Sequence, residues 1–126
     1  MEFQNSLKND IFQYAEKTFK TKPEYLWAND PESAILRHND NTKWYALIMT
    51  VAKSKLGLKS DEKIDVLSVK CDPLLIGSLL HNKGYFPAYH MNKQHWITIS
   101  LDGSVPKEEI INLLHMSFDM TKKKRR

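Results

Sequence analysis

Cysteine is nearly missing from this chain of 126 residues, with Cys71 its sole representative. That excludes an intramolecular disulfide and any zinc cluster built on thiolates, and a lone thiol fits a reducing compartment. Long apolar runs are missing too, since no stretch approaches the roughly eighteen residues of a membrane span. The first five residues, Met1-Glu2-Phe3-Gln4-Asn5, lack a cationic segment leading into an apolar one. The expectation from both absences is a cytoplasmic protein without a membrane partner. Glycine-rich phosphate loops, a Gly-x-Ser-x-Gly elbow and a dinucleotide fingerprint are likewise missing.

What is present describes one ordinary domain. Apolar residues make up 41% and charged residues 27%, enough for a packed core without staples. The formal charge of +4 is unevenly placed. Lys122, Lys123, Lys124, Arg125 and Arg126 close the chain, and without them the 15 acids slightly outnumber the bases. The domain is therefore read as 1–121, followed by a basic tail at 122–126.

Phe3, Leu7, Ile11, Tyr14, Ala15 and Phe19 recur every three or four residues and predict a helix over about 3–20, limited by Pro23. Residues 23–27 read as an edge strand, and Ser33–His38 and Lys43–Val51 as a β-hairpin across Asn39-Asp40-Asn41. The lysine-bearing stretch 52–63 lacks periodicity and reads as a long, mobile connection projecting from the sheet. Asp65–Lys70 is the returning strand, which extends an antiparallel meander. Asp72 and Pro73 are start signals for a short helix with Leu74, Leu75, Ile76, Leu79 and Leu80 buried and Gly84 as its stop. Trp96–Leu101 alternates as a strand. A final helix begins after Pro106, with Glu108 and Glu109 near its positive end and Ile110, Ile111, Leu114 and Phe118 as its apolar face. The pattern is α+β, a mostly antiparallel sheet packed by N- and C-terminal helices.

Candidate chemistry concentrates in 84–101. His90 and His95 lack a third ligand at metal-binding spacing, so no metal is expected. Cys71 precedes a helix start, which can activate a thiol, but a small buried residue at a strand end is the commoner role. Asp61-Glu62 and Glu108-Glu109 read as solvated charge. No catalytic residue and no cofactor are expected. Binding remains: Tyr89, His90, Asn92, Lys93 and His95 mix aromatic, amide and cationic groups suited to phosphate and base contact. Lys53, Lys55 and Lys59 can lie along a phosphate backbone, and Lys122, Lys123 and Lys124 can attract any polyanion. For Trp96 and Phe86 a core role is favoured. A second reading, a protein- or small-ligand-binding module using the Tyr85–Trp96 surface, stays open.

Three segments carry a family resemblance: Val69-Lys70-Cys71-Asp72-Pro73, then Tyr85-Phe86-Pro87-Ala88-Tyr89-His90-Met91-Asn92-Lys93-Gln94-His95-Trp96, then Leu101-Asp102-Gly103-Ser104-Val105-Pro106. With Trp44-Tyr45-Ala46-Leu47 upstream, the chain resembles the MmcQ/YjbR family along nearly its whole length. The resemblance implies a CyaY-like (frataxin-like) fold and a DNA-binding "double wing". On this chain the wings would be 52–63 and the region Tyr89–His95, with DNA as the partner. Frataxin-like iron binding is not expected, because the first helix offers only Glu2, Asp10 and Glu16 in place of a carboxylate ridge.

Overall fold

The computed structural model of the chain describes residues 6–122. Ser6 starts the first helix, α1 (Leu7–Phe19), by accepting a hydrogen bond from the Asn9 amide on its side chain. Lys20, in the left-handed conformation, ends it three residues before Pro23. Phe3, expected on its apolar face, lies outside the described residues. Five strands follow in an antiparallel sheet: β1 (Ala34–Arg37), β2 (Trp44–Ala52), β3 (Lys63–Lys70), β4 (Tyr85–Pro87) and β5 (Trp96–Ser100). Their spatial order is β1-β2-β3-β5-β4. Two more helices, α2 (Pro73–Leu79) and α3 (Lys107–Thr121), complete an α+β domain.

The helices pack on one face of the sheet. There Leu36, Ala46, Ile48, Leu67, Val69, Ile97 and Ile99 meet Ile11 and Ala15 of α1 and Ile110 and Leu114 of α3. A bulge on β2 shapes this contact: Leu36 pairs with Ala46 but Arg37 with Trp44, so Tyr45 has no partner on β1. Ser117 of α3 compensates. Its hydroxyl donates to the Tyr45 carbonyl at 2.6 Å and accepts from the Lys70 amide at 2.9 Å. Two neighbouring histidines also serve the structure: His38 Nε2 lies 2.8 Å from Thr121 Oγ1, and His115 is hydrogen-bonded to the Tyr14 hydroxyl.

Among the described residues the opposite face carries no α-helix. Ile35, Leu47, Met49, Ile64 and Val66 are nonetheless buried there, beneath segments of irregular backbone that bring in Trp27, Tyr89 and Met91. Ser68 and Thr98 are buried on the same face as a hydroxyl pair 2.7 Å apart, and Thr98 Oγ1 accepts from the Tyr89 amide. This is how the segment after β4 is fastened down.

Several local expectations give way. Residues 23–27 make a single bridge, Glu24 to Ile35, because the chain then turns through Asp30 and Ser33. The 52–63 connection is shorter and more ordered than the sequence suggests: β2 and β3 extend into it, and Lys53–Leu56 form a 3-10 turn closed by Gly57. On α2 only Ile76 and Leu79 are buried, while Leu74 is 87% exposed and Leu80 is exposed as well. Seven residues are too few for a continuous apolar stripe. Gly84 does not stop that helix, which ends at Leu80 in a right-handed conformation. Gly84 instead opens β4 at φ +93°, where an added Cβ would stand 2.6 Å from Val105 Cγ2. The strand β4 itself has no counterpart in the sequence reading. In α3, Leu113, Ser117 and Thr121 are buried, whereas Ile111 and Phe118 are only partly so.

Candidate functional site

Strand register fixes where the predicted contact residues lie. Ala52 pairs with Lys63, and Val66 with Ser100, so the 53–62 connection and the Asp102–Ser104 turn share one end of the sheet. Trp96 pairs with Lys70, and the Cys71 amide donates to the His95 carbonyl at 2.8 Å. The 88–95 loop therefore leaves and rejoins the sheet at the other end, beside the 38–43 turn. The eight residues of β3 separate these ends by roughly 25 Å. The two connections expected to act together as wings sit at opposite ends of the molecule.

Charge distinguishes the ends. Lys53, Lys55, Lys59 and Lys63 stand among Asp61, Glu62, Asp65 and Asp102. Lys53 lies 2.8 Å from Glu62, which raises the lysine's pKa and lowers the glutamate's through a hydrogen bond and charge attraction. At the opposite end are Lys43, Lys70, Lys93 and Lys122, with α3 anchored there by the Asn41 side-chain amide, which donates to the Thr121 carbonyl at 2.9 Å. Of the carboxylates at this end, Asp72 caps α2, Asp119 lies 3.6 Å from Lys122, and Asp40 stands in the turn. Lys123, Lys124, Arg125 and Arg126 lie outside the described residues.

The 88–95 loop divides into two parts. Asn92, Lys93 and His95 are exposed. Asn92 holds the turn, its side chain accepting from the Gln94 amide and its carbonyl from the amides of His95 and Trp96. Tyr89 and His90 point elsewhere. Their ring centroids lie 3.9 Å apart with planes tilted at 47°, and His90 adopts φ +65°, a left-handed conformation uncommon for a residue with a side chain. His90 and Met91 thereby line a pocket of about 430 Å³ on the helix-free face. Trp96 and Phe86, expected in the core, are half-buried on this face.

Trp27, Asn29, Asp30, Ser33, Trp44, Leu47 and Met49 complete the pocket. Sequence reasoning reached only His90 and, within the Tyr85–Trp96 surface, Met91 among its nine lining residues. A signal existed: Tyr45 to Met49 are consecutive apolar residues, and a strand buried on both faces loses its alternation. That pattern calls for a cover on the second face, and Trp27 and Met91 supply it.

Cys71 is buried and contributes no reactive thiol, because burial pushes its pKa up. Among the described residues no three His, Cys, Asp or Glu side chains converge to hold a metal. None of the described helices is long and apolar enough to cross a membrane.

The family model YjbR matches residues 16–120, which include all five strands, α2, the 88–95 loop, nearly all of α3 and the last turn of α1. The chain belongs to the YjbR family. The uncharacterized protein YyaQ of Bacillus subtilis is 44% identical over 115 residues, covering 91% of this chain and 98% of that protein. The uncharacterized YjbR of Escherichia coli K12 is 34% identical over 83 residues, 64% of this chain and 68% of the relative. Among solved structures, a Pseudomonas syringae protein superposes with a TM-score of 0.89 at 43% identity, covering 94% of this chain and all of its own. Deinococcus radiodurans protein DR2400, a DUF419 domain, gives 0.71 at 26% identity, covering 94% of this chain and 80% of its own. These matches support the YjbR-family architecture on both faces of the sheet.

Proposed function

We propose that this YjbR-family protein is a non-enzymatic DNA-binding protein, and that its contact surface is the sheet end formed by the 38–43 turn, the 88–95 loop and Lys122, aided by the basic residues that follow Lys122 in the sequence. One observation carries the reading. Strand register gathers Lys43, Lys70 and Lys93 at that end, and the Asn41 hydrogen bond to Thr121 brings Lys122 there, with four further cations following in the sequence. Cations there meet phosphate, and the exposed Asn92 and His95 supply hydrogen-bonding groups beside them. The 53–62 connection contributes little in this reading, since its lysines stand among an equal number of carboxylates. The buried Cys71 thiol supports a role without nucleophilic chemistry.

Fluorescence anisotropy with duplex DNA over a salt series tests the assignment. Lys43→Gln, Lys70→Gln and Lys93→Gln together are expected to flatten the log affinity against log salt slope by about two to three, near 0.9 per lost phosphate contact. Lys55→Gln with Lys59→Gln leaves it unchanged. If removing residues 122–126 abolishes binding while the triple variant behaves as the parent, the tail acts alone and the surface reading falls. The pocket favours a second, compatible reading, in which the 88–95 loop also makes this a small-ligand-binding module.

A further inference from the structure

We infer that the pocket between the 27–33 and 88–95 segments takes a methylated organic ammonium ion, an inference that rests on the ligand-binding reading of that pocket. Three observations carry it. Trp27 and Trp44 both line the cavity, with ring planes at 86° and centroids 6.0 Å apart, so two indoles form the walls of a corner. Indole is the strongest aromatic partner for a cation within about 6 Å of its face. Met49 and Met91 add polarizable thioether surface, which suits methyl groups better than a hydrated primary amine.

The second observation is charge. Among the described residues Asp30 is the sole carboxylate in the lining, and neither lysine nor arginine joins it. Ser33 Oγ donates to Asp30 Oδ2 at 2.6 Å and holds the acid in place. Phosphate or carboxylate ligands would find only the His90 imidazole and no lysine or arginine among the described lining residues, and would meet the Asp30 carboxylate, whereas an ammonium ion finds in Asp30 a counter-charge. Third, the one arginine among the described residues is already engaged. Arg37 is the cross-strand partner of Trp44, yet it donates two hydrogen bonds to Glu24, at 2.8 and 2.7 Å. It therefore does not act as an internal cation for the indole. The volume falls within the roughly 300–1,000 Å³ of small-ligand sites and leaves room for a chain beyond the ammonium head.

The probes are choline and its uncharged carbon analogue 3,3-dimethylbutanol, titrated into the full chain and followed by tryptophan fluorescence and amide NMR shifts. Choline is expected to saturate, with resonances of Trp44, Asp30 and Met91 moving, and to bind at least roughly fivefold tighter than the alcohol. Asp30→Asn, at an exposed position that leaves the fold intact by circular dichroism, weakens choline severalfold and leaves the alcohol unchanged. Trp44→Leu weakens both. Equal affinity for the two probes would overturn the ammonium assignment while preserving the ligand-binding reading. Saturation by neither probe would remove both. An Asp30→Asn variant that binds choline as the parent does also overturns the assignment.

Discussion

The two faces of this sheet are both buried, and they are buried by different means. Under the helices, Leu36, Ile48, Leu67, Ile97 and Ile99 are sealed by regular side-chain rows from α1 and α3. On the other face, Ile35, Leu47, Met49 and Val66 are covered by irregular segments fixed at a few points, such as the Tyr89 amide on Thr98. Helices present side chains at close, repeating intervals and interlock closely, and the helical side keeps only a smaller hollow of about 280 Å³ at its margin, among Phe19, His38 and Phe118. Irregular segments follow no such rows, and here a cavity of about 430 Å³ remains. The lesson is that regular helical rows cover the sheet more tightly than irregular segments do.

Truncating one leucine on each face gives the largest expected effects and the sharpest test of that contrast. Leu67→Ala, beneath the helices, should cost about 3–5 kcal/mol, the range for a buried leucine whose surroundings cannot collapse. Leu47→Ala, lining the pocket, should cost nearer to about 2 kcal/mol, because one side of that leucine already borders open space and forfeits fewer contacts. Urea unfolding with unchanged slopes measures both. Equal losses would show the two covers to be equally tight and would break the comparison.

The helical side also depends on the Ser117 hydroxyl, which bridges two strands. Ser117→Ala leaves the Tyr45 carbonyl and the Lys70 amide without their shared partner and should destabilise the domain by about 1–3 kcal/mol. Faster hydrogen exchange at the Lys70 amide is the specific signature. A variant that loses stability with that amide still protected would locate the damage elsewhere.

Local sequence patterns disclosed the helix periodicities, the β1–β2 hairpin and the Asp72-Pro73 helix start, since each rests on spacing or capping within a few residues. The α+β class and the family were legible for the same reason. The pocket was not. Trp27 and Trp44 are seventeen positions apart, and Met91 a further forty-seven, so only strand register brings them together. Asp30 looked like turn chemistry because it does sit in a turn. The separation of the 53–62 and 88–95 connections has the same origin: both are charged loops in sequence, and only the order β2-β3-β5 sends them to opposite ends.

Acid should expose the helical side in a pH-dependent manner. Burial lowers the pKa of His38 from its ordinary 6.5, against the opposing pull of Asp40. The unfolded chain therefore takes up its proton first as pH falls below 6.5, and stability declines from there down through the folded-state value. Above 6.5 both states are neutral and the contribution is constant. Thermal unfolding from pH 7.5 to 5 should show a falling Tm that flattens in His38→Gln. An identical slope in the variant would assign the acid sensitivity to other groups.

The smallest effect sets the zero of the comparison. Leu74 is a large apolar residue on a helix of the sealed layer, so composition alone predicts a costly truncation. Its 87% exposure predicts the opposite, because an exposed side chain removes little apolar area from water and leaves no cavity when shortened. Leu74→Ala is expected to change stability by no more than about 0.5 kcal/mol in urea unfolding. A loss approaching that of Leu67→Ala would mean that Leu74 is covered in solution, by self-association for example, and the midpoint would then shift with protein concentration. A small, concentration-independent change ties the difference between the two faces to burial and packing.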